Sequence, residues 1–122
     1  MLINRYDYKP INRKTIEGKR HYDAPDGGPV PSVTTILDKT KPEEKRKALA
    51  NWKKRVGEAK AQQIVTEAAG RGTRLHKWLE DYVISGEIGE PGSNPYSQQS
   101  HKMANLILEH GLKNADEYWG TE

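Results

Sequence analysis

One segment in the middle of the chain combines side chains that suit a metal and a phosphate. At helical spacing Gly72, His76 and Glu80 recur every four residues, so they share one stripe. An imidazole is a common metal ligand, and a glycine one turn ahead of it leaves open space. Arg71 and Arg74 flank the stripe with guanidinium groups that suit phosphate. The pattern predicts a phosphodiester site. The plainer interpretation is a half-buried histidine bonded to Glu80, with glycines as packing contacts.

Composition limits the kind of metal and the size of the core. Cys is absent, which excludes disulfides and thiolate sites and leaves His and carboxylate ligands, a set that suits Mg²⁺ or Mn²⁺. Only 34% of the 122 residues are hydrophobic, so we expect a marginal core that a partner, a ligand or further sequence completes. No apolar run approaches the ~18 residues of a membrane span, and the N-terminus lacks a signal-peptide core. These features predict a cytoplasmic protein with no membrane partner.

Charge is distributed unevenly along the chain. Residues 39–60 carry nine Lys or Arg and three Glu, a net charge of +6, whereas residues 80–122 carry two Lys and eight acids, a net charge of −6. This asymmetry indicates either a polyanion partner or solvated helix faces of opposite sign. Trp52 would either stack an unpaired base or pack in the core. The phosphate contacts predicted from the basic run are Lys45, Arg46, Lys47, Lys53, Lys54 and Arg55.

Hydrophobic periodicity and turn residues predict an α+β fold in which a β-hairpin precedes about four helices. Residues 2–9 and 15–23 alternate like strands, with a turn at 10–13. The Gly- and Pro-rich residues 23–31 predict a loop. We expect one domain over residues 1–122, with the hairpin and loop at 1–31, a helical region facing DNA and metal at 32–84, and a last helix leading into the core sheet at 96–122.

The four helices differ in how clearly their ends are marked. Ser32 is placed to cap the first, whose apolar face would be Val33, Ile36 and Leu37. The second begins near Pro42 and stops at Gly57. Its predicted buried stripe is Ala48, Leu49, Trp52 and Val56.

The third helix is the longest, at about 58–84. Gly70 and Gly72 mark a kink, a junction or a close approach of its backbone. A linker at 85–95 then leads to a helix at 96–110, which Gly111 ends. The residues after it are expected to begin a strand.

Three stretches of the sequence form a recognisable combination. They are Pro-Ser-Val-Thr-Thr-Ile-Leu (31–37), Trp-Lys-Lys-Arg-Val-Gly (52–57) and Ala-Ala-Gly-Arg-Gly-Thr-Arg-Leu-His (68–76). Together they resemble RecB-type nucleases of the PD-(D/E)XK superfamily, and in order and spacing they are most similar to small phage exonucleases and mitochondrial genome maintenance exonucleases. The resemblance implies that His76 helps to bind the divalent metal. Glu80 would then orient the imidazole or be a surface acid.

The catalytic carboxylates of these nucleases have no counterpart in this sequence. The families place a metal-binding Asp, then an acid followed two residues later by Lys, on a hairpin after these helices. None of the acids that follow Glu80 has a Lys two residues on. We therefore expect the catalytic half to be missing and the chain alone to be inactive. It would be a truncated form, the product of an interrupted gene, or one piece of a split enzyme that a separate chain completes.

The resemblance implies a metal-dependent exonuclease that hydrolyses phosphodiester bonds of DNA, on single strands or at an end, in a bacterial or phage-infected cell. Two alternatives belong to other classes. One is a non-catalytic nucleic-acid-binding module, and the other is a phage interaction protein whose acidic tail contacts a basic partner. Cleavage of DNA with divalent metal, binding without cleavage, and no DNA affinity are the outcomes that distinguish the three.

Overall fold

The fold is α+β, as the sequence predicts. The computed structural model describes residues 2–121, and within them a three-stranded antiparallel sheet precedes four helices. Two compact units divide the chain: a sheet unit, Lys9–Glu58, and a helical unit that joins Met1–Tyr8 to Ala59–Glu122. The elements are β1 (Arg13–Ile16), β2 (Lys19–Asp23), β3 (Pro29–Pro31), α1 (Val33–Lys39), α2 (Glu43–Val56), α3 (Glu58–Ser85) and α4 (Pro95–His110).

The β-hairpin turns at Glu17 and Gly18 rather than at residues 10–13, so its predicted position is wrong. Both turn residues have positive φ, 52° and 76°, the combination that a two-residue type I′ turn requires. This turn pairs Ile16 with Lys19 and begins the antiparallel register of β1 and β2. The alternation of residues 15–23 therefore belongs to two short strands rather than one.

Two further expectations for the N-terminal third are corrected. Residues 2–9 form no regular strand, because Leu2 makes only an isolated parallel bridge to Tyr118 and Asp7 adopts a positive φ of 50°. The predicted loop at 23–31 is also shorter, since its last residues are the strand β3, which pairs with β2. Pro29 and Pro31 are compatible with β3 because it is an edge strand.

Ser32 joins the sheet to α1 and confirms the predicted cap. Its Oγ accepts a hydrogen bond from the Thr35 backbone N–H at 3.1 Å, and its own backbone N–H donates to the Arg20 carbonyl at 3.0 Å. Thr35 Oγ1 donates to the same carbonyl at 3.1 Å. The Pro-Ser-Val-Thr-Thr segment therefore begins a helix and attaches it to β2.

The apolar faces predicted for α1 and α2 are not buried within the sheet unit. Val33, Ile36 and Leu37 are exposed on α1. On α2 the expected stripe fails at Ala48 and Leu49, which are exposed, while Trp52 and Val56 are half-buried. The reason is that Ser32 is the one buried residue of this unit in the described part of the chain, so these faces have no core of their own to pack against.

The helices α2, α3 and α4 end close to their predicted positions. Gly57, with φ 89°, stops α2, and Asn94 caps α4, whose last turn is closed by the Gly111 N–H donating to the Ile107 carbonyl. Between them α3 is a single helix of 28 residues. Gly70 and Gly72 lie inside it without interrupting it.

The core of the helical unit consists of small residues. Ala61 and Ala104 are the buried hydrophobic residues among residues 2–121, and Ser100 of α4 is completely buried. Small side chains let backbones approach but remove little apolar surface from water. The marginal core expected from composition is confirmed.

Candidate functional site

His76 and Gly72 lie on an exposed side of α3. The His76 side chain is exposed, and a Cβ built on Gly72 would meet no atom within 4 Å, so open space lies one turn ahead of the imidazole as predicted. Glu80, one turn further on, is half-buried. In the part of the chain that the structure describes, no hydrogen bond or ion pair joins His76 to Glu80. The interpretation of His76 as a half-buried histidine bonded to Glu80 is therefore wrong.

The donors available to a metal near His76 are few. Across residues 2–121, no three His, Asp or Glu side chains are close enough together to hold a metal ion. His76 and Glu80 thus offer at most two donors, whereas Mg²⁺ takes about six oxygen ligands in an octahedral arrangement. By themselves these two residues fit one side of a Mg²⁺ or Mn²⁺ site and do not complete it.

Arg74 does not flank His76, contrary to expectation. Residues two positions apart on an α-helix point about 200° from each other, so Arg74 and His76 lie on nearly opposite sides of α3. The Arg74 guanidinium carbon is 5.6 Å from the centre of the Tyr96 ring on α4. One terminal nitrogen lies 3.2 Å from where a Cβ on Gly70 would stand. Gly70 therefore leaves room for Arg74 to fold back along its own helix.

Arg71 lies three residues before Arg74, on the same side of α3. It is half-buried, and in the described range it has no hydrogen-bond or ion-pair partner. Sequence reasoning named both arginines but missed Tyr96, which it assigned only to a helix. An Asn-Pro pair directly before Tyr96 does indicate that its ring stands in the first turn of α4, and that is the signal that could have found it.

Trp78 attaches α4 to α3 and so positions this side of the helix. Its indole Nε1–H donates to the buried Ser100 Oγ at 3.1 Å, and its ring meets the His101 ring edge-on at 5.0 Å between centroids. His101 Nε2 is 2.7 Å from the Gly89 carbonyl, to which it donates, while Nδ1 faces the Asn105 amide at 3.3 Å. The linker, α3 and α4 are thereby joined at one place.

One ion pair lies close to the His76 stripe along α3. Lys77 is hydrogen-bonded to Asp81, one turn later. That hydrogen bond, with the carboxylate charge, holds the pKa of Lys77 above its usual value. The positive charge of Lys77 is therefore already paired with an acid. In the described part of the chain, Arg71 and Arg74 have no such ion pair.

The basic residues of α2 are mostly unpaired. Within residues 2–121, five of the six predicted phosphate contacts have no acid or carbonyl partner, and all five are exposed. Three of them fill the last turn of α2, where the helix dipole also favours cations. Trp52, between the two groups of cations, is half-buried. The five are Lys45, Lys47, Lys53, Lys54 and Arg55.

Arg46, the sixth of these residues, is engaged within the protein. Its Nη2 donates to the carbonyls of Asp38 at 2.8 Å and Lys39 at 2.9 Å, and its Nε donates to that of Lys41 at 3.2 Å. These carbonyls lie at and just beyond the C-terminus of α1, where helices leave acceptors unpaired. Arg46 therefore holds the turn between α1 and α2.

Comparison with known proteins gives one similarity of sequence. The chain is 33% identical to mitochondrial genome maintenance exonuclease 1 of Xenopus tropicalis over 97 residues, which cover 72% of this chain and 28% of that protein. No family model matches the chain, and no solved structure does. No helix among the described residues has the length and apolar character that crossing a membrane needs. Over most of its length the chain is thus similar to a stretch of an exonuclease, and it spans about a quarter of that protein.

Proposed function

We propose that this chain is a portion of a metal-dependent DNA exonuclease of the PD-(D/E)XK type. The observation that supports this most is the 33% identity to an exonuclease. In this proposal the activity depends on the exposed His76 beside the open space at Gly72. A phosphodiester could approach the bare backbone there, next to a metal ligand.

In this proposal His76 binds the divalent cation and Glu80 either completes that side of the site or orients the imidazole. When bound, Mg²⁺ or Mn²⁺ would supply a water of lowered pKa and charge to stabilise the phosphoryl oxygens. The remaining ligands would come from carboxylates that these residues do not provide. His76 and Glu80 therefore contribute binding and orientation.

The unpaired cations of α2 would hold the phosphate backbone of DNA. Lys53, Lys54 and Arg55 have no acid to compete for them in the described range, so neutralising phosphates costs no existing ion pair. Such contacts release counterions and give affinity without sequence preference. A substrate read through its backbone, as a single strand or an end, suits this arrangement.

Binding of Mn²⁺ at His76 is the direct test. Paramagnetic Mn²⁺ should broaden the ring proton signals of His76 in the NMR spectrum, and His76→Ala should abolish the strongest broadening.

His110 is the matched control for this experiment. It is also exposed, and its Nε2 lies 3.8 Å from a carboxylate oxygen of Glu109. If Mn²⁺ broadens His76 no more than His110, the metal-ligand role of His76 is wrong, and a surface histidine beside an acid explains the data.

A non-catalytic nucleic-acid-binding module is the second candidate. It is favoured by the contrast between five unpaired cations on α2 and only two candidate metal donors on α3. This candidate predicts salt-dependent DNA binding that neither Mn²⁺ nor His76→Ala changes. The nuclease proposal predicts that Mn²⁺ at His76 strengthens DNA binding and that His76→Ala removes this gain.

A further inference from the structure

Two guanidinium groups stand together on α3 without a counter-charge. Arg71 and Arg74 are three residues apart, which places their Cβ atoms about 5–6 Å from each other on one face. In the described part of the chain neither has an ion pair, and the Nε of Arg74 is buried without a hydrogen-bond partner. Glu67, one turn ahead of Arg71, instead accepts a hydrogen bond from Gln63 at 3.1 Å. Two neighbouring like charges without an acid favour an anionic ligand.

An exposed aromatic ring lies beside this arginine pair. Tyr96 is 62% exposed although the Arg74 guanidinium lies over its ring, 5.6 Å from the ring centre. Its position is fixed by the Asn94 cap, since the Tyr96 backbone N–H donates to Asn94 Oδ1 at 2.8 Å. Trp78 and Ser100 hold α4 in place one turn further along. Arg74 lies over the ring, and the exposed part of the ring is accessible to a flat partner.

We propose that Arg71, Arg74 and Tyr96 form a nucleotide-binding site for single-stranded DNA. The two guanidinium groups bind a phosphate, since their planar donors match its oxygens. The Tyr96 ring stacks on the adjoining base, a contact that tolerates any base because each has a π face. The inference rests on the proposed function and extends it by naming where a single strand is held.

This site is distinct from the metal-ligand stripe. Because Arg74 and His76 point to nearly opposite sides of α3, one nucleotide cannot contact both at once. A strand held at Arg71, Arg74 and Tyr96 would instead pass around α3 toward the His76 side. The arginine pair thus contributes to strand binding and not to the chemistry at the phosphorus atom.

The test is DNA binding in the absence of divalent metal, measured by fluorescence anisotropy with a short labelled thymidine oligomer. Replacing both Arg71 and Arg74 with Gln should weaken binding roughly 10-fold and reduce the salt slope by about 0.7, because the two guanidinium groups neutralise one phosphate. Tyr96→Leu should weaken binding of the oligomer about 5-fold or more but should not change binding of an abasic strand of the same length. Inorganic phosphate should compete with both strands, because both place a phosphate at the arginines.

Lys102→Gln is the matched control, because Lys102 is an exposed cation on the same helix as Tyr96. It should leave affinity and salt slope nearly unchanged. Arg71→Gln alone is the second variant, since Arg71 has no partner to lose in the described range and the substitution should not disturb folding. Circular dichroism verifies the helix content of each variant.

Three results would overturn the site. If the arginine variants bind DNA with unchanged affinity while a variant of the α2 cations binds more weakly, the proposed site is wrong. The proposed function is not contradicted by that result. Equal losses for the thymidine and abasic strands in Tyr96→Leu remove the stacking role. Absence of any DNA binding removes both the site and the function it rests on.

Discussion

His76 and His101 differ in what their side chains contact, although both lie in the helical unit. His76 is exposed and has no described partner, whereas the His101 ring packs on Trp78 and bonds to the Gly89 carbonyl. The two histidines therefore serve different purposes. One is available to a ligand, and the other joins the linker to α4.

His101→Ala should destabilise the protein and His76→Ala should not. Loss of the hydrogen bond to Gly89 and of the ring contact to Trp78 should lower the free energy of unfolding by about 1–3 kcal/mol. Thermal unfolding followed by circular dichroism measures this. A drop in melting temperature for His76→Ala as large as that for His101→Ala would indicate that His76 packs in the fold and is not free for a metal.

For single residues, the sequence predicted the features that depend only on the type of that residue. The bare backbone at Gly72 was foreseeable, because a glycine has no side chain wherever its helix lies. The side of α3 on which Arg74 lies was foreseeable too, because residues two positions apart on a helix point about 200° from each other. The contacts of Arg74 with Gly70 and Tyr96 were not foreseeable, because the contact with Tyr96 involves a second helix. A specific contact between two helices produces no periodic pattern in the sequence.

Among the elements, α2 combines two kinds of cation. Arg46 is engaged with backbone carbonyls, while the basic residues of the last turn are exposed and unpaired. The two kinds should respond differently to substitution, since one loses internal hydrogen bonds and the other loses only solvent-facing charge.

Replacing Lys53, Lys54 and Arg55 with Gln should reduce the salt dependence of single-strand binding. Each phosphate contact contributes about 0.7 to the log–log slope, so three contacts correspond to about 2 units. Titrations at several salt concentrations give the slope, with Lys60→Gln as control because Lys60 is an exposed cation on α3. If the slope stays at its original value, these residues are a solvated face.

Arg46→Ala should destabilise the sheet unit, by about 1–3 kcal/mol, because the carbonyls of Lys39 and Lys41 lose the donor that Arg46 provides. Urea denaturation measures the change, and Lys47→Ala, at the exposed neighbouring position, should change stability by less than about 0.5 kcal/mol. Arg46→Lys keeps the positive charge but removes the planar guanidinium group that forms the forked hydrogen bonds. If the lysine variant is as stable as the original, the forked hydrogen bonds are not what holds the turn.

Helix ends were predictable and strand ends were not. Helices end at Gly57 and Gly111, and Asn94 caps the start of α4. These effects depend on local backbone conformation and capping, which can be predicted from the residue types. The strands are short, and their alternation continues through the Glu17–Gly18 turn, so the pattern alone does not show where the chain reverses. Pairing of β3 with β2 depends on a partner strand rather than on its own residues.

The whole molecule has a small core and many exposed apolar residues. The buried hydrophobic residues of the described chain are two alanines, while Val33, Leu37 and Val65 are each about half exposed or more. Exposed apolar surfaces of this kind are where partners or ligands bind to proteins.

The isolated chain should not digest DNA. The reason is that His76 and Glu80 supply at most two ligands, and no acid after Glu80 precedes a Lys by two residues. Labelled single-stranded DNA with Mg²⁺ or Mn²⁺ is the assay, with EDTA as control. EDTA-sensitive digestion that persists through repurification and is lost in His76→Ala would show that this chain forms a working centre.

In the order of the sequence, Lys9–Glu58 is an insertion between two parts of the helical unit, and the parallel bridge between Leu2 and Tyr118 joins those two parts. The order of synthesis then matters. All of Lys9–Glu58 leaves the ribosome long before Tyr118, so this unit can fold first. The segment of residues 2–8 is made before Lys9–Glu58 and cannot form its bridge until Tyr118 has been made.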